Sequence, residues 1–245
     1  MTTSHNPYTQ MLVTFHPDRF YGRSIQVTTI LNVITASEPT GHAIYGLRTM
    51  GKTTLLRFIK DPNGAMHHYG DYVGAAYSPG GGRYMVFAYV NFHNFSESDG
   101  SLFHLMLTEL LDELHEDDRF DFSHDLPYAD PQADRGSTVR SLKTLLSDLH
   151  HDYNIRVAFL MDDFDVPLHK QLVDAEDDHL LRELTEHAAL IIATEDPIPR
   201  IRPDFGKSSP LLGILKPEAI DLLKYNEARE LVIGTAEKVN LIYIF

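Results

Sequence analysis

Apolar residues in this chain fall into two patterns: short continuous runs, and longer stretches that repeat every three to four positions. The continuous runs are 43–45 (in HAIYG), 85–92 (MVFAYVNF), 156–161 (RVAFLM) and 189–194 (ALIIAT). Runs of this kind, without alternation, predict strands covered on both faces. The helical repeats lie between them. Residues 52–60 (KTTLLRFIK) put Leu55, Leu56 and Ile59 on one face, and 137–152 does the same with Val139, Leu142, Leu145, Leu146 and Leu149. The stretch 99–116 predicts a third amphipathic helix, capped by Asp99 or Ser101. In 24–36, Ile25, Ile30, Leu31, Val33 and Ile34 have roughly helical spacing, but the many Thr, Val and Ile let a strand compete. A helix is expected at 177–187, and two more follow Pro217, at about 217–225 and 226–238, the second weakened by Gly234.

Strands alternating with helices predict an α/β fold of three layers, a mostly parallel central sheet with helices on both sides. The Pro- and Gly-containing stretches 61–83 and 117–136 read as loops, and 1–19, interrupted by Pro7 and Pro17, as a lead-in. The expected organisation is a lead-in at 1–19, a core at 20–210 and a short helical extension at 211–245. Composition narrows the chemistry. With 21 Lys and Arg against 35 Asp and Glu, the net charge is −14, which disfavours nucleic acid and anionic membrane, a local basic patch aside. The fourteen histidines would offset part of that charge near pH 6. The absence of cysteine excludes disulfides, thiolate metal sites and a cysteine nucleophile. No apolar stretch approaches the roughly 18 residues of a membrane span, and no targeting signal is visible, so a cytoplasmic protein is expected. The pairs His67-His68 and His150-His151 point apart in either a strand or a helix, so neither chelates a metal by itself.

One segment carries specific chemistry. Gly46-Leu47-Arg48-Thr49-Met50-Gly51-Lys52-Thr53 fits the pattern G-x-x-x-x-G-K-[ST], and it follows a predicted strand and opens a predicted helix, as that pattern requires. Gly46 and Gly51 allow the backbone to turn its amides inward as an anion nest. The helix start at Lys52, Thr53 and Thr54 adds unpaired N–H donors and partial positive charge. Lys52 would reach the β- and γ-phosphates of a nucleotide, and the Thr53 hydroxyl would ligate Mg²⁺.

A second segment complements it. The run 156–161 ends in Asp162-Asp163, and strand ends in open α/β sheets deliver their next residues to the ligand-binding edge. Asp162 falls where a Mg²⁺ carboxylate belongs, and Asp163 where a group orienting the attacking water belongs. Asp165 is expected to hold loop geometry. Thr194, at the end of 189–194, comes to the same edge and either contacts the γ-phosphate or caps a turn.

With these residues in place, the chain resembles the AAA+-like P-loop ATPases, and among them the STAND signalling ATPases and the archaeal or origin-recognition-type ATPases. Phe20-Tyr21-Gly22-Arg23 is similar to that group's hydrophobic–hydrophobic–Gly–Arg motif, GLRTMGKTT to its Walker A loop, VAFLMDDFD to its Walker B strand and LIIATEDP to its sensor-1 strand. The segment 211–220 is similar to the stretch leading into the helical lid. The resemblance implies a P-loop NTPase fold, ATP and Mg²⁺ as cofactors, and an adenine end bound near Tyr21, Gly22 and Arg23. It implies catalytic roles for Lys52, Asp163 and Thr194, with Leu47, Arg48, Thr49 and Met50 completing the phosphate loop. Asp163 stands where a glutamate is more usual, which implies slow turnover. The resemblance also implies an incomplete lid, so that self-association or a partner protein supplies lid or effector parts. Arg200 and Arg202 occupy positions where an arginine finger can occur. The expected function is an ATP-binding switch with slow hydrolysis, and the alternative is a nucleotide-binding pseudo-ATPase or interaction module.

Overall fold

In the computed structural model, residues 15–36, 40–70, 83–120, 126–204 and 209–238 are described. Five strands, β1 (Gly41–Tyr45), β2 (Tyr84–Asn91), β3 (Ile155–Asp162), β4 (Ala188–Thr194) and β5 (Leu215–Ala219), form one sheet in the order β2-β3-β4-β1-β5. Every pairing is parallel. The sheet has helices on both faces because its strands are apolar on both. Along β3, Val157, Phe159 and Met161 enter one core while Ala158 and Leu160 enter the other; along β4, Leu190 and Ile192 oppose Ala189, Ile191 and Ala193.

Helices α1 (Ser24–Ile34), α2 (Lys52–Lys60) and the short α3 (Ala65–Tyr69) cover one face, and α4 (Leu102–Glu116) and α5 (Arg135–His151) the other. Helix, not strand, is the outcome for 24–34, with Val27, Ile30, Leu31, Val33 and Ile34 all buried. Burial of one continuous face outweighs the modest helix penalty of β-branched side chains. Ser101 caps α4, its hydroxyl accepting from the His104 amide. The acidic run at 174–178 opens α7 (Ala175–Leu184), following α6 (Asp165–His169), and Asp174 and Asp177 form a reciprocal capping box. Helix α8 (Ile198–Ile201) follows β4, and α9 (Tyr225–Lys238) ends the described chain.

One predicted helix is replaced by a strand. The helix expected at 217–225 is absent, and 215–219 is instead the edge strand β5, paired with β1 from Gly41↔Leu215 to Tyr45↔Ala219. Pro217 suits a first helical position, which suggested a helix, but it also suits an edge strand. The Ile220 amide donates to Tyr45 O at 2.7 Å, so the alternation of the strand turns the nitrogen of position 217 outward, where no donor is required. Buried Leu215 and Ile220 anchor the strand at both ends. The sheet therefore reaches residue 219, and the helical extension is α9. The expected loop at 61–83 contains α3, and its remainder at 71–82, like 1–14 and 121–125, lies outside the described residues. Among the described residues, no helix is long and apolar enough to cross a membrane.

Candidate phosphate-binding site

Register places the ends of the strands at one edge: Tyr45 opposite Thr194 and Ala219, and Asn91 opposite Asp162. The phosphate-loop residues leave β1 there and enter α2, whose N-cap is Gly51 at φ 89°. Thr49 also has positive φ, 67°, so the loop turns through two left-handed residues before the helix. A Cβ on Gly51 would meet nothing within 4 Å, so that side of the turn opens outward. At Gly46 the reverse holds. A Cβ would lie 2.4 Å from Ile220 O, and the Gly46 amide donates to Thr194 O at 3.2 Å, so the loop is seated between the ends of β4 and β5.

Lys52 is buried, and its Nζ donates to Gly46 O (2.6 Å) and Leu47 O (3.2 Å), which holds the ammonium over the loop. Thr53 is half-buried and Thr54 exposed on the first turn of α2; Leu47 and Arg48 are exposed, and Met50 packs against the core beneath α1 and α2. Asp162 is 1% exposed; one carboxylate oxygen accepts from the Tyr89 hydroxyl (2.7 Å) and the other from the Asp163 amide (3.1 Å). Burial first, then the Asp162 charge, push the Tyr89 phenol up, so it stays a donor to Asp162. A carboxylate has about four acceptor positions, and these two bonds leave room for a cation or its water.

Asp163 has φ 53° and its carboxylate meets His93 Nδ1 at 3.1 Å. Asp165 is buried, and its carboxyl is pushed up by burial above all, with Asp163 and Glu195 adding to the effect. Thr194 is buried and its hydroxyl donates to Asp196 O at 2.8 Å, a turn role, so donation to a phosphate would require that bond to be exchanged. Arg200 forms an exposed pair with Asp196, and Arg202 is held by Asp204 and Val173 O. Both candidate finger residues are thus engaged locally. Among the described residues, no group of three or more His, Cys, Asp or Glu side chains is placed to hold a metal ion. Mg²⁺ at this edge would therefore depend on Asp162, Thr53, water and phosphate oxygens, the usual pattern for this ion.

The Tyr21-Gly22-Arg23 motif is tied to the C-terminal segment. Phe20 stacks on Phe58 of α2 with ring centroids 3.9 Å apart. Gly22 has φ 71°, and a Cβ there would lie 2.8 Å from Glu227 Cβ. The Arg23 amide donates to Glu227 Oε1 (3.0 Å), and its buried guanidinium donates to Met50 O (3.1 Å) and to Asp221 O. Arg23 thereby links the phosphate loop to the segment between β5 and α9. Tyr21 packs against Gly234, where a Cβ would lie 2.7 Å from its ring.

Sequence reasoning missed Tyr89, His93, Glu195 and Glu227. Tyr89 had a signal, a polar-tipped aromatic two residues before the end of a strand. Glu195 had one too, as the residue following the strand that ends at Thr194. His93 and Glu227 had none, since their partners lie 70 and 204 residues away.

No protein-family model matches the sequence, and no curated protein matches it. Solved structures do. The ORC2 protein of Aeropyrum pernix in its ADPNP–ADP complexes aligns with 92% of this chain and 54% of its own, at TM-score 0.61 and 16% identity. The ORC1 protein of A. pernix in complex with DNA aligns with 91% and 51%, at 0.53 and 14%. Cdc6p of Pyrobaculum aerophilum aligns with 94% and 53%, at 0.50 and 14%. The chain spans about half the length of each. It shares the α/β fold of these ORC and Cdc6 structures.

Proposed function

We propose that the chain is an ATP-binding P-loop ATPase domain that works as a nucleotide-dependent switch of the STAND or AAA+ kind, with slow Mg²⁺-dependent hydrolysis. The observation that carries this reading is the conjunction at one sheet edge of a Gly46–Thr53 loop running from strand into helix with the buried Asp162 and its neighbour Asp163. In this reading Gly46, Gly51 and the first turn of α2 offer amide donors to phosphate oxygens, and Lys52 adds the compensating charge. Tyr89 and the Asp163 amide hold the Asp162 carboxylate, which with Thr53 would ligate the ion. Mg²⁺ would neutralise charge on the β- and γ-phosphates. Asp163 orients water near the terminal phosphate. The similar structures in ADP and ADPNP complexes support nucleotide as the ligand class.

A second reading is binding without turnover. It is favoured by the Asp163 carboxylate being engaged with His93 and one methylene shorter than a glutamate. Partners under either reading are ATP and ADP, with self-association or a partner protein coupled to the nucleotide state. The net charge of −14 weighs against carrying over the DNA of the ORC1 complex. Steady-state phosphate release from the wild type and Asp163→Asn decides between the two. Hydrolysis that is abolished in Asp163→Asn while ATP stays bound supports the ATPase reading. ATP binding with no wild-type phosphate release above background supports the second, and equal rates remove Asp163 from the chemistry.

A further inference from the structure

Arg48, in the middle of the phosphate loop, is paired with Glu195, the first residue beyond β4. Their chain segments leave adjacent strands at register partners Tyr45 and Thr194, so the pair bridges the two lips of the edge where a bound nucleotide's phosphates would lie. The guanidinium side chain is 85% exposed and Glu195 33%. Exposed pairs of this type contribute little to folding, so stability alone does not require this bridge. The negative charges of Asp163 and Asp165 also reach the guanidinium, so Arg48 lies near the acidic strand end. Glu195 in turn acts on buried Asp165.

A phosphate is the stronger competitor for that guanidinium. The planar fork of arginine matches phosphate oxygens bidentately, and a terminal phosphate carries more charge than one carboxylate. We propose that Arg48 and Glu195 form a terminal-phosphate gate: Glu195 holds Arg48 when the site is empty or carries a diphosphate, and the terminal phosphate of a nucleoside triphosphate takes Arg48 from it. Arg48 then discriminates triphosphate from diphosphate, and Glu195 sets the threshold. Release of Glu195 frees the β4–α8 connection in the triphosphate state only, which gives the proposed switch a physical origin. The inference rests on the phosphate-loop reading above.

The test is calorimetric titration of Mg²⁺·ADPNP and Mg²⁺·ADP into wild type, Arg48→Ala, Glu195→Gln and the double variant, each first shown to be folded. Arg48→Ala is expected to weaken ADPNP binding about tenfold, the scale of one charge-assisted hydrogen bond, and ADP binding much less. Glu195→Gln is expected to strengthen ADPNP binding several-fold, ADP binding much less, and to have no effect on ADPNP once Arg48 is absent. That last arm separates the gate from plain repulsion between Glu195 and phosphate. Equal strengthening by Glu195→Gln in the Arg48→Ala background would overturn the gate, as would equal loss of ADP and ADPNP affinity in Arg48→Ala. If neither nucleotide binds the wild type, the phosphate-loop reading fails and takes the gate with it. If both bind and the cycle shows no coupling, only the gate fails.

Discussion

Gly234→Ala sets two effects of known size against each other. Gly234 lies in the last two turns of α9, and replacing an exposed helical glycine by alanine ordinarily stabilises by about 0.8–1.0 kcal/mol. Here the new methyl would stand 2.7, 2.8 and 3.0 Å from Cε1, Oη and Cζ of Tyr21. Carbon atoms settle at about 3.5–4.0 Å, so the ring must retreat by roughly 1 Å. Overpacking of that extent costs about 1–3 kcal/mol. The net expectation is a loss of about 0–2 kcal/mol, where helix propensity alone predicts a gain. Thermal or urea unfolding of four proteins reads the effect: wild type, Tyr21→Ala, Gly234→Ala and the double variant. With the ring removed, Gly234→Ala should recover its gain of about 1 kcal/mol, a coupling of about 1–3 kcal/mol between the positions. For a chain of this size each kcal/mol corresponds to about 2–4 °C in Tm. If Gly234→Ala raises Tm equally in both backgrounds, the packing of Tyr21 on α9 is refuted, and Glu227 is left as the tie between the Tyr21-Gly22-Arg23 motif and that helix.

Two further outcomes follow from the site and its surroundings. Asp162→Asn should abolish the enhancement of nucleotide affinity by Mg²⁺ while sparing metal-free binding, measured by titration with and without the ion; undiminished enhancement would remove Asp162 from the metal site. His42, buried against Glu218 Oε2 at 2.9 Å, has its pKa lowered from 6.5, chiefly by burial and in part by Lys216, against the opposing effect of Glu218. A depressed histidine pKa favours the neutral form in the fold, so its contribution is present above 6.5 and is lost as the pH falls below it. Unfolding free energy should therefore drop more steeply between about pH 7 and 5 in the wild type than in His42→Gln, by up to one proton's slope, and identical slopes would contradict the assignment.

The core strands and their burial on both faces were legible because a parallel sheet demands unbroken apolar runs, which 156–161 and 189–194 supply. The strand–turn–helix around Gly46–Thr53 was legible because its two glycines and lysine fall within one short segment between two apolar-patterned stretches. What escaped was long-range. Pro217 is compatible with both a helix start and an edge strand, and only the vacant edge of β1 decides between them. Gly234 looked like a flaw in a helix, yet its missing side chain is the space that Tyr21 occupies. The resemblance puts Arg23 at the adenine end, and nothing in its local sequence shows that its guanidinium also bridges Met50 O and Asp221 O. Arg23 and Asp221 are 198 positions apart, and no local pattern announces such a contact.

The central claim is that the Gly46–Thr53 loop binds nucleotide phosphates, and calorimetric titration of Mg²⁺·ATP into wild type and Lys52→Ala tests it most directly. Lys52→Ala removes the ammonium held over the loop by Gly46 O and Leu47 O. The account predicts measurable binding by the wild type and at least about tenfold weaker binding by the variant, with circular dichroism showing both folded. Equal affinity in the two folded proteins, or no binding to the wild type, would contradict it.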